Sequence, residues 1–189
     1  VWMPDGSPLA VWTARQPEPF QGYLGERGLS AQHLEVRLAM RYGNPSVAGV
    51  LRELHDKGMQ RLLVLPLYPQ YSASTVASVH DAVLAELSGW RRMPELRLVN
   101  DYHLDEAWLD ALASSVENNW DLHGRGEKLL ISFHGIPQRF VRAGDPYAQQ
   151  CEAGARALAQ RLNLSQGQWL MTFQSRFGPQ EWLQPYTDK

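Results

Sequence analysis

Short apolar runs alternate along this chain with longer segments of helical periodicity. The apolar or alternating runs are typical of β-strands, and they cover residues 32–40, 61–67, 96–99, 128–133 and 168–173. The run at 61–67 is continuous, which predicts a strand that is covered on both faces. Neighbouring runs are separated by enough residues for a strand–helix–strand unit. The pattern therefore predicts an α/β fold with an open, mostly parallel sheet flanked by helices.

Capping and turn residues mark the ends of the predicted helices. Ser7, Ser46 and Asp105 stand where N-caps are expected. Pro17 and Pro19 are expected to disturb or end the first helix, because proline removes a main-chain donor and clashes with the preceding turn. The first predicted helix begins at Leu9, and the others cover residues 46–57, 74–87, 105–122 and 146–162.

The composition excludes several classes of protein. With 189 residues, 44% of them apolar, the chain can bury a core in one domain or two small lobes. The formal net charge of −2 gives no basic footprint for nucleic acid. Cys151 is the one cysteine, so we expect no internal disulfide and a reducing compartment. No apolar run reaches the roughly 18 residues of a membrane span, and we expect a cytoplasmic protein.

The chain begins at Val1 without an initiator Met and closes at Lys189 without a finishing element. We therefore expect a segment of a longer protein. The weakest seam within it is the stretch 88–94, where Gly, Arg and Pro are concentrated.

In open parallel sheets, ligands bind outside the carboxyl ends of the strands. Here those ends carry aromatic, hydroxyl and imidazole groups, at residues 41–42, 68–72, 100–103, 134 and 174–182. The chain lacks GxGxxG, phosphate-loop and GxSxG motifs, so nucleotide-phosphate binding and α/β-hydrolase chemistry have no support. Its His, Cys and carboxylate residues are isolated, which argues against a closed structural metal site.

Several of these segments match one family together. The sequence Ser-Phe-His-Gly-Ile-Pro at 132–137, followed by Gly-Asp-Pro-Tyr at 144–147, resembles the central signature of the ferrochelatases, which insert Fe(II) into a porphyrin. Further matches occur in order at residues 6–9, 40–45, 68–72, 74–75, 174–179, 182–183 and 187–188. The resemblance extends over almost the whole chain.

This resemblance implies two similar α/β lobes with a porphyrin cleft between them. Residues 1–94 would belong to the first lobe and residues 95–189 to the second. Fe(II) would be a substrate, and no organic cofactor would be needed. The family's Gly-rich substrate loop and the Glu that faces its histidine fall outside this chain. An iron–sulfur cluster, found in some members, could not be built from Cys151 alone.

His134 is the candidate catalytic residue and the candidate iron ligand. Metalating a porphyrin removes two pyrrole protons and strips water from the metal. A neutral imidazole can accept a proton near neutral pH, and it is also a good ligand for Fe(II). The residues do not choose between these two roles, and both stay open.

Six residues are candidate contacts to the porphyrin: Arg41, Tyr42, Tyr68, Tyr71, Ser72 and Trp182. Aromatic rings suit the face of a large apolar disc, and a guanidinium suits a propionate. The hydroxyl of Ser72 could bond a propionate or a metal-bound water. Core packing is an equal alternative for each ring, and Arg41 could equally be solvated or cap a helix. Tyr147 is expected to pack beneath the loop of His134, and His103 to be a structural or rim residue.

The leading hypothesis is a lyase-type metal chelatase that inserts Fe(II) into protoporphyrin IX to form protohaem. One alternative is an α/β module that binds a tetrapyrrole without turning it over. The absent acidic partner of His134 keeps this alternative open, since the segment alone would then be inactive. The other alternative is a chelatase acting on another tetrapyrrole. Peripheral membrane contact would suit so apolar a substrate.

Overall fold

A computed structural model describes residues 2–4, 6–29 and 34–189 of the chain. Within these ranges helices and strands alternate through most of the sequence. The helices are α1 Pro8–Ala14, α2 Pro17–Glu26, α3 Val47–Asp56, α4 Val76–Leu87, α5 Glu106–His123, α6 Gln138–Arg142 and α7 Tyr147–Arg161. The strands are β1 Arg61–Val64, β2 Glu95–Leu98, β3 Leu129–His134 and β4 Trp169–Gln174.

The described strands form two pairs, β1 with β2 and β3 with β4. In the second pair the strands are parallel, with Leu129 opposite Trp169 and His134 opposite Gln174. In the first pair, main-chain bonds from residue 95 to residue 60 and from residue 99 to residue 64 advance in the same direction along both strands. That pattern is also parallel. The predicted α/β class, with parallel strands flanked by helices, is confirmed.

The three predicted N-caps are confirmed. The hydroxyl of Ser7 accepts a bond from the amide of Ala10, and that of Ser46 accepts one from Gly49. The carboxylate of Asp105 accepts a 3.0 Å bond from the amide of residue 108. Each cap satisfies one of the main-chain donors that a helix leaves unpaired at its first turn.

The strand predicted at 32–40 is wrong where the structure describes it. Residues 32 and 33 lie outside the described ranges, and residues 34–39 form no strand. The side chain of Gln21 instead donates to the carbonyl of Leu34 and accepts from the amide of Val36. A side-chain amide therefore bonds the main-chain groups that a neighbouring strand would otherwise pair.

The prolines near the start of the chain open a helix as well as ending one. Helix α1 stops at Ala14, as expected, but Pro17 then occupies the first turn of α2. A proline is well tolerated there, because the first-turn amides have no partner within the helix. The short helix α6 was likewise not predicted.

The expectation that residues 61–67 form a strand covered on both faces is wrong. Strand β1 is only four residues long, and its side chains alternate between exposed and half-buried. Leu63 is 64% exposed, and Leu65 and Leu67, beyond the strand, are exposed too. One face of this strand is thus open in the described part of the chain.

The chain divides into two compact units, one of Val1–Leu62 with His80–Leu96 and the other of Leu63–Val79 with Arg97–Lys189. In the first unit the buried apolar residues lie on α1, α3 and α4: Val11, Val47, Val50, Leu51, Val83 and Leu87. In the second unit one cluster joins α5 to α7 around Leu109 and Leu158, and another surrounds Cys151 and Phe173. The assignment of residues 1–94 and 95–189 to two lobes stays a prediction.

None of the helices in the described ranges combines the length and the apolar character needed to cross a membrane.

Candidate active site

His134 ends β3 and is exposed. Side chains alternate along this strand, so the imidazole shares the open face of the β3–β4 pair with Leu130 and Ser132. Its Nδ1 lies 2.7 Å from the carbonyl oxygen of Gly135. A carbonyl can only accept, so Nδ1 carries the proton of the neutral ring. The lone pair at Nε2 is then the one that can take a proton or bind a metal.

Tyr147, in the first turn of α7, holds the main chain at this histidine. Its hydroxyl donates a 2.9 Å hydrogen bond to the carbonyl of His134, and its ring packs in the cluster around Cys151. Burial, followed by the nearby Cys151, raises the pKa of Tyr147, so the hydroxyl stays a donor. The expectation that Tyr147 packs beneath the loop of His134 is confirmed.

The loop 68–75, which follows β1, is fastened to the same turn of α7. One carboxylate oxygen of Asp145 accepts bonds of 2.9 Å from the hydroxyl of Ser72 and the amide of Ala73. Its other oxygen accepts from the amide of Tyr147 at 3.0 Å. The side chain of Gln150 accepts from the amide of Tyr71 at 2.6 Å. Asp145 and Gln150 were not predicted, because no local pattern marks bonds to residues so distant in sequence.

Among the predicted porphyrin contacts in this loop, the two tyrosines and the serine differ in exposure. Tyr68 is 44% exposed and Tyr71 is half-buried, so both rings retain surface for a ligand. Ser72 is fully buried, and its hydroxyl lies within bonding distance of Asp145 and Ser74. In this conformation the hydroxyl of Ser72 holds the loop instead of facing solvent.

Trp182 packs against the residue that follows His134. A Cβ atom on Gly135 would lie 3.4 Å from the indole ring and 3.2 Å from the carbonyl oxygen of Gln174. The indole nitrogen donates a 2.8 Å bond to the carbonyl of Phe177, which orients the ring. Glycine at 135 therefore permits the close approach of Trp182 to the strand end that carries the imidazole.

Arg41 and Tyr42 belong to the first compact unit. The guanidinium of Arg41 lies 4.6 Å from the ring centroid of Tyr42, a cation–π contact, and Tyr42 is 74% exposed. The guanidinium of Arg41 and the ring of Tyr42 therefore lie side by side on the surface of that unit.

Among the described residues of the second unit, two clefts border candidate site residues. One, of about 310 Å³, opens at the carboxyl end of β4, where Arg176 forms an ion pair with Asp188. The other, of about 260 Å³, is mostly apolar, and both Gln70 and Phe133 line it. The loop after β1 and the residue before His134 therefore border one cavity.

His103, expected as a structural or rim residue, also lines the apolar cleft, and its Nδ1 lies 3.0 Å from the carboxylate of Asp101. In the described ranges, no three His, Cys, Asp or Glu residues are grouped so that they could hold a metal ion. His134 therefore stands without a preformed cage around it in this part of the chain.

Comparison with known proteins identifies the family. The ferrochelatase family model matches residues 2–189. Over 188 residues, the chain is 55% identical to a ferrochelatase of Thioalkalivibrio sulfidiphilus and 52% identical to one of Nitrosococcus oceani. A ferrochelatase of Methylibium petroleiphilum is 53% identical over 188 residues. The chain belongs to the ferrochelatase family.

The ferrochelatase relatives are matched along all of this chain but over only about half of their own length, 50% for the first two and 51% for the third. The predicted family resemblance is confirmed. The segments that carry it, including the ends of β3 and β4, all fall within the matched part of the ferrochelatases.

Proposed function

We propose that the protein containing this chain is a ferrochelatase that inserts Fe(II) into protoporphyrin IX to form protohaem. The observation that carries this proposal is the family match along residues 2–189. Fe(II) and the porphyrin are both substrates, and the chemistry needs no organic cofactor. The porphyrin, and no nucleic acid, is the proposed partner.

In the proposed reaction His134 takes a pyrrole proton, binds the iron, or does both in turn. Support comes from the bond between Nδ1 and the carbonyl of Gly135, which leaves the Nε2 lone pair for either role. An imidazole in this tautomer is a base near neutral pH and a ligand for Fe(II) without any change of hydrogen bonding at Nδ1. Tyr147 keeps the strand end in place during this exchange of partners.

The proposed porphyrin contacts are Arg41, Tyr42, Tyr68, Tyr71, Ser72 and Trp182. The exposed rings suit the macrocycle face, and Arg41 suits a propionate. Of the six, Ser72 would need to leave Asp145 to touch a ligand. We therefore propose a direct contact more strongly for Tyr68 and Tyr71 than for Ser72.

The test is anaerobic insertion of Fe(II) into protoporphyrin by the full-length protein that contains this chain, monitored by the loss of porphyrin fluorescence and the gain of haem absorbance. His134→Ala should slow insertion by about 10²-fold or more, the usual contribution of a general acid–base group. His123→Ala, at the exposed end of α5, is the matched control and should leave the rate unchanged. A His134→Ala rate within a few-fold of wild type would reject the role of this residue.

The same assay separates the enzyme from a binding module. If the full-length wild-type protein quenches porphyrin fluorescence without incorporating metal, it binds a tetrapyrrole and does not turn it over. If metal enters another tetrapyrrole faster than protoporphyrin, the substrate assignment is wrong. Iron insertion into protoporphyrin supports the proposal directly.

We further propose a cytoplasmic protein with peripheral membrane contact. On α1, Leu9 is 71% and Trp12 57% exposed, and Trp2 ahead of the helix is 79% exposed. Tryptophan and leucine side chains suit the membrane interface. Leu9→Ala with Trp12→Ala should reduce co-sedimentation with vesicles of phosphatidylcholine and phosphatidylglycerol. Leu122→Ala, on α5 and also 79% exposed, is the control, and equal sedimentation of all three proteins would reject the contact.

A further inference from the structure

The segment 145–150, at the start of α7, bonds two parts of the second unit whose relative position matters for the proposed chemistry. In one direction Tyr147 bonds the main chain of His134. In the other, Asp145 and Gln150 bond the loop 68–75, which carries Tyr68 and Tyr71. The short segment 145–150, which leads into α7, thus contacts both the candidate catalytic residue and the candidate aromatic contacts.

The two carboxylate oxygens of Asp145 bond different segments. One carboxylate oxygen accepts from the amide of Tyr147, the first residue of α7. The second oxygen instead accepts from the hydroxyl of Ser72 and the amide of Ala73, both in the loop. Bonds to an ionised acceptor are stronger than those between neutral groups, so this oxygen is a firm anchor for the loop.

Gln150 supplies a second anchor that is independent of Asp145. It lies one turn further along α7, and its side-chain oxygen accepts the amide of Tyr71 at 2.6 Å. Two adjoining stretches of the loop are therefore bonded to α7 through different side chains. With both in place, the main chain at Tyr71 and Ala73 cannot shift without breaking a bond.

We propose that Asp145 and Gln150 are positioning residues that hold the loop 68–75 at a fixed distance from His134. Gln70 of the loop and Phe133, which precedes His134, line the same cleft of about 260 Å³, so the two segments are neighbours. The consequence for porphyrin rests on the proposed function: if the loop were mobile, the distance between its aromatic rings and the imidazole of His134 would vary. Reactions at such a site are sensitive to small displacements of the contacting groups.

Amide hydrogen exchange, followed by NMR on the whole chain, tests the anchors without any ligand. Gln150→Leu removes the acceptor of the Tyr71 amide, and Gln150→Glu retains it. The exchange of Tyr71 should become about tenfold faster or more in Gln150→Leu and stay near the wild-type rate in Gln150→Glu. Asp145→Asn can keep an oxygen for the amide of Tyr147 and then presents an amino group to Ala73, whose exchange should accelerate likewise. Amides in α5 should be unaffected in all three.

Porphyrin affinity, measured by fluorescence quenching, links the anchors to the site. Gln150→Leu and Asp145→Asn should weaken binding about five-fold or more, and Gln150→Glu should restore it, a pattern that general destabilisation would not give. Unchanged exchange at Tyr71 and Ala73 would overturn the positioning roles. Faster exchange with unchanged affinity would overturn the link to the ligand. If wild type binds no porphyrin, the proposed function fails while the exchange result still decides the anchors.

Discussion

The surface of α3 and the first turn of α7 use polar side chains in different ways. Around α3 the charged groups pair with one another at the surface, as in the ion pairs Arg37–Glu53, Lys57–Glu35 and Arg52–Glu86. At α7 the polar side chains bond main-chain atoms of distant segments, as in Asp145–Ala73, Gln150–Tyr71 and Tyr147–His134. Pairs between flexible charged side chains leave the backbone free, whereas bonds to main-chain atoms fix it. The bonds at α7 therefore fix the main chain of distant segments, whereas the ion pairs around α3 do not.

The largest effect should be the same in both regions, because both rest on buried leucines. Leu158 on α7 is 8% exposed and Leu51 on α3 is 4% exposed. Leu158→Ala and Leu51→Ala should each lower the free energy of unfolding by about 2–5 kcal/mol, measured by urea denaturation. Leu122→Ala, at an exposed position, is the control. If the two variants lose clearly different free energies of unfolding, the two regions differ in the packing of their cores as well as in their polar bonds.

The next largest change in stability is expected at alkaline pH, and it arises from Cys151 on α7. Burial, then the charge of Asp145, raises the pKa of Cys151 to about 12. Above the ordinary pKa of 9.0 the unfolded thiol has lost its proton while the folded one keeps it, so the folded state loses stability as pH rises. Urea midpoints of wild type and Cys151→Ala should therefore converge between pH 9 and about 11. Parallel curves would contradict this protonation difference.

A smaller effect is expected from the hydroxyl that holds His134. Tyr147→Phe keeps the ring and removes one donor, which should cost about 0.5–1.5 kcal/mol of unfolding free energy. Tyr42→Phe, on a ring that is 74% exposed, is the matched change and should be close to neutral. Equal losses of unfolding free energy in the two variants would mean that the hydrogen bond to the main chain of His134 does not stabilise the fold.

The smallest effect is expected at the surface of α3. Arg52→Ala removes a two-pronged pair with Glu86, whose pKa is lowered chiefly by the hydrogen bond from that guanidinium. A lowered pKa stabilises the fold above the ordinary value of 4.5 and ceases to do so as pH falls. The small difference between variant and wild type, read from urea midpoints, should therefore vanish in acid and shrink in salt. A difference that persists in both would contradict a surface ion pair.

The sequence was most informative where a local rule acts on neighbouring residues. The caps Ser46 and Asp105 were predicted from single side chains next to apolar periodicity, and both are confirmed. His134 was placed at a strand end for the same kind of reason: an apolar run stops at a polar residue followed by Gly and Pro. These features depend on only a few consecutive positions.

The sequence was misleading where partners are distant. The alternation at 34–39 resembles a strand, but a strand needs a neighbour, and the side chain of Gln21 bonds that segment instead. The exposure of Leu63 depends on what covers a sheet face, which no local pattern encodes. The anchors Asp145 and Gln150 were missed for the same reason, since each bonds residues more than 70 positions away.

The alternation of β3 places a constraint on how this protein can change over evolution. Leu130, Ser132 and His134 point to one face, while Ile131 and Phe133 point to the other and contact the core clusters. Inserting or deleting one residue within the strand would turn the imidazole inward and a phenylalanine outward. Apart from His134, substitutions on the open face should thus be tolerated among descendants, whereas the length of β3 should not vary. In a library of single-residue insertions across the chain, iron-insertion activity of the full-length protein should fall most for insertions within β3.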